Sequence, residues 1–172
     1  MESIEKLIRN IPDFPSPGIM FRDITTLLKD PDGLQISVDA IAEAFKNTDF
    51  DLVLGPESRG FIFGVPLAYK LKKGFVPARK VGKLPAETAR ISYSLEYGNA
   101  EIEIHKDAIK PGAKVVIVDD LLATGGTAKA VADLVTQLGA EVVGMAFLIE
   151  LAPLGGRKVL SDYKNVISII TY

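Results

Sequence analysis

The chain has 172 residues, 48% of them hydrophobic, which is enough for one domain with a sizeable core and too apolar for a largely disordered chain. A net charge of −2 with mixed signs excludes a nucleic-acid binder driven by bulk electrostatics. With no cysteine and a single histidine, His105, the chain has no disulfide, thiolate nucleophile, Cys-based zinc site or histidine metal cluster.

The first ten residues lack the apolar core of a signal peptide. The longest apolar run, residues 142–149, is far too short for a membrane span, so a cytoplasmic protein with no membrane partner is expected. Ile4, Leu7, Ile8 and Ile11 share one helical face and predict a short amphipathic helix, stopped by Pro12, Pro15, Pro17 and Gly18. A second helix is predicted over 31–47, with Pro31 in its first turn and Leu34, Val38, Ile41 and Phe45 facing inward. Leu52, Val53 and Leu54 form a short buried strand that ends at Gly55-Pro56-Glu57-Ser58-Arg59-Gly60, and a helix runs on to about Lys73. Residues 75–78 predict another strand, followed by a polar loop over 81–85. From 89 to 105 the apolar residues alternate (Ile91, Tyr93, Leu95; Ile102, Ile104), which predicts two antiparallel strands around Gly98-Asn99. A strand over 115–118 leads to a helix carrying Ala130, Val131, Leu134, Val135 and Leu138, closed by Gly139. Strands over 141–149 and 166–170 complete the chain. Strands alternating with helices, with no repeat or linker, predict one open, parallel α/β domain.

Residues 115–127 carry the chemistry: Val-Val-Ile-Val-Asp-Asp-Leu-Leu-Ala-Thr-Gly-Gly-Thr. Side by side in a strand, Asp119 and Asp120 would face opposite ways, and one would enter an apolar layer at high cost. The strand is therefore expected to end there, at the carboxyl edge where open α/β sheets bind ligands. Two carboxylates so close raise each other's proton affinity, and two ribose hydroxyls would satisfy both. The plainer alternative is an Asp that caps the turn beside an exposed neighbour. Next, Ala123, Thr124, Gly125, Gly126 and Thr127 bring small residues, converging N–H groups, two hydroxyls and a helix N-terminus to one place. That environment suits a phosphate. Neither a Gly-x-Gly-x-x-Gly nor a Gly-x-x-x-x-Gly-Lys-Ser/Thr pattern is present, so one phosphate beside one ribose fits better than a dinucleotide or a nucleoside triphosphate.

The same stretch resembles the phosphoribosyl-pyrophosphate (PRPP) signature of type I phosphoribosyltransferases. Enzymes for orotate, uracil and hypoxanthine, PRPP synthetase and some transcription regulators carry relatives of it. Three further segments are similar to the adenine-using members. They are Pro12-Asp13-Phe14-Pro15 with Gly18 through Phe21-Arg22-Asp23-Ile24, Glu57-Ser58-Arg59-Gly60-Phe61, and Ser92-Tyr93-Ser94-Leu95-Glu96-Tyr97-Gly98. The resemblance runs from about Ile11 to the C-terminus and is weakest over 84–91. It implies a type I phosphoribosyltransferase-like open, mostly parallel sheet flanked by helices, forming a single domain over 1–172. A short N-terminal hood (1–30) and a flexible antiparallel lid (87–105) belong to that fold. The implied reaction moves ribose 5-phosphate from PRPP to adenine N9, giving AMP and pyrophosphate in purine salvage.

The resemblance also implies residue roles. Asp119 and Asp120 hold the ribose hydroxyls, and Ala123, Thr124, Gly125, Gly126 and Thr127 hold the 5-phosphate. Arg59 lies in the pyrophosphate loop, with a cis peptide between Glu57 and Ser58, while Arg79 and Lys83 reach pyrophosphate from a partner subunit and a neighbouring loop of a homodimer. Glu96 is the catalytic carboxyl near adenine N7, and Tyr97 excludes water. Met20, Phe21 and Arg22 cover adenine, Phe21 by stacking, with Glu150 and Leu151 near the base. Mg²⁺ is expected through PRPP oxygens and water rather than a protein cage. Without the resemblance, Arg59, Arg79 and Lys83 read as surface charge, Phe21 as core and Glu96 as a solvated residue. His105 is expected to be structural. Two alternatives stay open: transfer to another base, and a non-catalytic PRPP sensor, which would need an added DNA-binding segment.

Overall fold

The computed structural model describes the backbone of residues 2–95 and 98–172. The chain opens on α1 (Glu2–Lys6), but the helical spacing expected to reach Ile11 breaks off early. Ile4 and Ile8 are buried as expected, whereas Ile11 belongs to β1 (Arg9–Pro12) and lies opposite Phe21 of β2 (Met20–Asp23). Tertiary pairing overrides local spacing here. The Asp23 carboxylate accepts from Arg9 Nε and from the Thr25 amide, both at 2.9 Å, and so fixes the hairpin to the chain that follows. After the short α2 (Thr25–Leu28) comes α3 (Pro31–Ala44), started by Asp30, whose side chain accepts from the Gly33 amide at 2.8 Å. Val38 and Ile41 are buried on its inner face, and Phe45 is buried at its C-cap.

Then follow β3 (Leu52–Pro56), α4 (Arg59–Leu71), β4 (Gly74–Lys80), β5 (Thr88–Leu95), β6 (Gly98–His105), β7 (Lys114–Leu122), α5 (Gly126–Gln137) and β8 (Glu141–Glu150). A 3₁₀ turn (Ala152–Leu154), α6 (Gly156–Val159) and β9 (Val166–Thr171) end the chain; the turn and α6 were not anticipated from sequence. Strands β3 to β9 form a seven-stranded sheet in the order β5-β6-β4-β3-β7-β8-β9. Pairing is parallel from β4 to β9 and antiparallel at the β5–β6 end. Gly98 and Asn99, expected at the reversal, belong to the returning strand β6, opposite Leu95 and Ser94.

The central strands are buried on both faces, which is why they read as continuous apolar runs. Val53, Val116, Val118, Ala146 and Leu148 meet the α3–α4 layer, and Leu54, Val115, Ile117, Met145 and Phe147 meet the α5 layer. From β3 the chain crosses through α4 to β4 on one side, and from β7 it crosses through α5 to β8 on the other. The strand order therefore reverses between β3 and β7, leaving a crevice beyond their carboxyl ends. All the expected chemistry of residues 57–60 and 119–127 converges there.

The strand expected to end at the acid pair is longer than its sequence pattern implies. Strand β7 does not stop at the acid pair but continues to Leu122. Its pairing with β3 ends at Ile117, while its pairing with β8 runs on to Leu122 opposite Glu150. The carboxyl edge thus exists on the β3 side only, and that half-edge is what exposes the two acids to the crevice.

Candidate functional site

Two adjoining cavities occupy the crevice. The larger, about 790 Å³, is walled by Glu57, Ser58 and Arg59 from the β3–α4 turn, Lys80 and Val81 from the end of β4, Tyr93 and residues 99–102 from the β5–β6 hairpin, and Asp119, Asp120 and Thr127. The smaller, about 210 Å³, is walled by Arg59 and the continuous run from Asp119 to Ala128. Arg59, Asp119, Asp120 and Thr127 border both.

The acids occupy different surroundings. Asp120 is buried, 3% exposed, with Oδ2 at 3.1 Å from Arg59 Nε. Asp119 is partly exposed to the cleft, and its Oδ1 accepts from the Asp120 amide at 2.8 Å. Withdrawal from solvent, and then the Asp120 charge, push the Asp119 carboxyl well above its ordinary range. Burial also raises Asp120, against the pull of Arg59. The high cost expected for an acid entering an apolar layer is thus offset only in part, by Arg59 and a backbone amide, and the strand does not end to avoid it. Arg59 begins α4, which can approach β7 because Gly60 has no side chain: a Cβ there would lie 3.0 Å from the Val118 carbonyl and 3.2 Å from Asp119 Oδ1. The Glu57–Ser58 peptide is cis, as the resemblance implied.

The turn after β7 leads directly into a helix, as expected. Gly125 adopts φ +85°, a left-handed conformation that favours glycine, and caps α5, whose helical residues begin at Gly126. Thr127 Oγ1 lies 3.5 Å from the Tyr93 hydroxyl, so the hairpin touches the turn across the cleft. Among the described residues the hairpin pairs with the main sheet only at its base, through Arg79 opposite Glu103 and Lys80 opposite Ile102. Glu103, 1% exposed, accepts from the Gly82 amide (3.0 Å), the Leu84 amide (3.4 Å) and Thr88 Oγ1 (3.0 Å), which ties the 82–84 loop to that base.

Other expected residues lie elsewhere. Neither Arg79 nor Lys83 borders the two cavities of this single chain. Arg79 Nε donates to Glu57 Oε2 at 2.6 Å and Nη1 donates to the Lys83 carbonyl at 3.4 Å, so Arg79 braces the turn and loop behind the wall. Strand alternation sends its neighbour Lys80 into the cleft instead. The spacing of that basic cluster was legible; which cation faces inward depends on strand register. Met20, Phe21 and Arg22 lie on β2, outside both cavity walls. Phe21 meets Phe14 edge-to-face at 5.1 Å, and Arg22 sits 3.7 Å over the Tyr172 ring and donates to Asn10 Oδ1 at 2.5 Å. Tyr172 ends the chain beside β8 and β9, so this contact sets the β1–β2 hairpin over their carboxyl ends. Glu150, expected near a base, is buried and engaged by Arg157 and by Ser168 Oγ at 2.6 Å. His105 Nε2 accepts from the Ala86 amide at 3.3 Å, a structural role. Glu96 and Tyr97 lie outside the described residues. Among the described residues no group of three or more His, Cys, Asp or Glu side chains could hold a metal ion, and no helix is long and apolar enough to cross a membrane.

The phosphoribosyl transferase domain model matches residues 23–171. An adenine phosphoribosyltransferase of Clostridium perfringens is 60% identical over 170 residues, covering 99% of this chain and 98% of its own. The crystal structure of adenine phosphoribosyltransferase from Thermoanaerobacter pseudethanolicus superposes with a TM-score of 0.96 at 55% identity, covering 99% of both chains. The Saccharomyces cerevisiae enzyme, complexed with D-2,5-dideoxy-2,5-imino-altritol 1,6-bisphosphate and adenine, superposes with a TM-score of 0.88 at 42% identity, covering 96% of this chain and 95% of its own.

Proposed function

This chain belongs to the phosphoribosyl transferase domain family, and we propose that the two adjoining cavities are the two ends of one PRPP site. It is a pentosyltransferase that converts adenine and PRPP to AMP and pyrophosphate, the step that salvages the purine. The observation that carries the site reading is the shared border. PRPP has a phosphate at one end, a ribose in the middle and a diphosphate at the other end. The small cavity has the N–H-rich turn, the large one has Arg59 and Lys80, and the acid pair stands between them.

In this reading Ala123, Thr124, Gly125, Gly126 and Thr127 take the 5-phosphate through backbone amides, two hydroxyls and the N-terminal end of α5. Asp119 and Asp120 accept from the ribose hydroxyls, which replace lost solvent and let both acids ionise. Their charge then faces the anomeric carbon as it becomes oxocarbenium-like, where a fixed negative charge stabilises the transition state. Arg59 and Lys80 receive the departing pyrophosphate, and Arg79 and Lys83 extend that subsite from a partner subunit or from the adjacent loop. Adenine enters beneath the β1–β2 hairpin, covered by Met20, Phe21 and Arg22; Arg22 Nε is buried with no acceptor among the described residues and has an N–H to offer a ligand. Glu96, which stands between β5 and β6 in the sequence, is the carboxyl that donates a hydrogen bond to adenine N7 while N9 attacks the anomeric carbon. The bond from that carbon to pyrophosphate breaks, and the N9 proton passes to the departing pyrophosphate or to solvent. Residues 1–30 form the hood and 87–105 the lid of a single domain.

The cleft, lined by Asp119, Asp120 and Glu57 among others, fits a Mg²⁺ that would be held mainly by PRPP oxygens and water. When bound, the ion neutralises charge on the leaving diphosphate. Exposed Ile36 on α3 with Val65 and Tyr69 on α4 support a homodimer by offering apolar surface on two packed helices. Highly charged substrates held inside cells support a cytoplasmic site of action.

Calorimetric titration tests the assignment. The Asp119→Asn, Asp120→Asn double variant is expected to bind PRPP with Mg²⁺ at least about tenfold more weakly than wild type. Unchanged PRPP affinity would remove the acids from the site.

A further inference from the structure

The stretch from Glu150 to Arg157 is built into the site more tightly than any role assigned so far requires. At its start, the Leu151 amide donates to the Leu122 carbonyl at the end of β7, and the Ala152 amide donates to the Tyr172 carbonyl, both at 2.9 Å. At its far end, Gly156 is buried directly against the phosphate turn. A Cβ on Gly156 would fall on the Ala123 carbonyl oxygen, far inside contact distance, and would lie 2.9 Å from Leu122 Cδ1 and 3.0 Å from the Gly125 amide nitrogen. The converse also holds: a Cβ on Gly125 would lie 2.8 Å from the Gly156 carbonyl oxygen. Two backbones therefore meet with no side chain between them. One belongs to the turn that lines the small cavity, and the other backs it.

A clamp holds the backing segment. Arg157, the residue after Gly156, donates through Nε to both Glu150 oxygens at 3.0 and 3.1 Å, through Nη1 to the Val166 carbonyl at 2.7 Å and through Nη2 to Ser168 Oγ at 2.9 Å. A further Nη2 contact reaches Glu150 Oε2, and Ser168 Oγ donates to that same oxygen. The clamp thus ties α6 to the end of β8 and the first residues of β9 and engages both oxygens of the buried Glu150 carboxylate.

We propose that Gly156 is a positioning residue for the 5-phosphate subsite: its bare backbone is the form against which the Ala123–Gly125 turn is set, and the Arg157–Glu150 clamp keeps that form in place. Displacement of the turn by even part of an ångström misaims several amides at once, because they converge on one anion. The effect is confined to ligands that carry the phosphate. This inference rests on the reading of the small cavity as the 5-phosphate subsite.

Gly155 supplies the control. Its φ is +71°, so Gly155→Ala is strained, yet a Cβ there has nothing within 4 Å. The experiment measures KM for PRPP, KM for adenine at saturating PRPP, AMP binding and Tm in wild type, Gly155→Ala and Gly156→Ala. Gly155→Ala is expected to lower Tm and leave PRPP and AMP unaffected. Gly156→Ala is expected to raise KM for PRPP and weaken AMP by about tenfold or more, with KM for adenine within about twofold of wild type. Should Gly156→Ala fail to fold, Arg157→Met loosens the clamp from its solvent side, and AMP affinity must still fall by about threefold or more. Wild-type AMP affinity in Gly156→Ala, or in Arg157→Met where that substitutes for it, overturns the proposal. So does a loss of PRPP, AMP and adenine recognition in both glycine variants in step with Tm. Wild type binding neither PRPP nor AMP would instead remove the underlying reading of the cavity.

Discussion

Asp119 and Asp120 show how a site can be legible in sequence while its energetics are not. Adjacent acids after four β-branched residues announce a ligand edge. That Arg59 would lie 3.1 Å from Asp120, and that both carboxyls would be raised, depends on α4 closing against β7 at Gly60. The raised acids work against the ligand-free fold at neutral pH, because folding then withdraws from water charges that the unfolded chain carries freely. Asp119→Asn is therefore expected to raise the ligand-free Tm by about 2–4 °C, the shift for about 1 kcal/mol in a domain of this size, while PRPP binding weakens. Scanning calorimetry with and without PRPP checks both signs; a lower ligand-free Tm would contradict the burial argument. Glu96 is a separate case. Its assignment comes from the Ser92-to-Gly98 motif, and Glu96→Gln is expected to lower kcat by about a hundredfold while leaving PRPP affinity near wild type. Turnover near the wild-type rate would strike Glu96 from the mechanism. The inward cation Lys80 and the backing Gly156 left no sequence signal, since each matters through what register or packing brings beside it.

Elements with strong periodicity emerged about where the pattern put them: α3, α4, α5 and the strands β3, β4, β8 and β9, while β7 began as expected and overran the acid pair to Leu122. Short elements did not. The spacing of Ile4, Leu7, Ile8 and Ile11 suits a helix, but Pro12 and the pairing of Ile11 with Phe21 turn its end into a strand. The 3₁₀ turn and α6 are too short to show a period, and tertiary bonds to β7, β8 and β9 hold them. The β5–β6 hairpin was readable from its alternation, but its attachment was not. That attachment rests on Glu103, whose carboxyl burial would push up, and which Thr88, the Gly82 and Leu84 amides and Arg90 together bring below the ordinary range. Glu103→Ala leaves two amides and a hydroxyl without their partner, and about 1–3 kcal/mol of stability should be lost. Urea unfolding measures it, and a loss below about 0.5 kcal/mol would show that the node is dispensable.

Across the whole molecule, topology creates the site: the sheet order reverses between β3 and β7, and the β3–α4 turn and the β7–α5 turn meet there. Alternating strands and helices made the fold class legible, and alternation made the antiparallel hairpin legible, whereas the strand order and the hairpin's attachment beside β4 needed the structure. The fold also carries an acid-sensitive set of carboxylates. Hydrogen bonds from Arg157 lower Glu150, and those from the Thr25 amide and Arg9 lower Asp23. A carboxyl lowered in the folded state contributes stability that is present above its unfolded value, about pH 4, and is lost as pH falls through its folded value. Tm should thus fall steeply on the acid side of about pH 4, and Glu150→Gln should flatten that limb; an unchanged slope would rule out the clamp as a contributor. Sedimentation is expected to give twice the mass of one chain, and a monomer that turns over fully would leave Arg79 and Lys83 without a partner's cleft to enter.

The central claim is that this crevice joins the phosphoribosyl group of PRPP to adenine. The most direct measurement is steady-state nucleotide formation from PRPP and Mg²⁺ with adenine, hypoxanthine, guanine, uracil and orotate assayed in parallel. The account predicts AMP and pyrophosphate in equal amounts with adenine and no comparable product with the other four bases. Turnover of another base in preference to adenine would contradict the account of the Met20–Arg22 cover, and PRPP binding without turnover of any base would contradict the account as a whole.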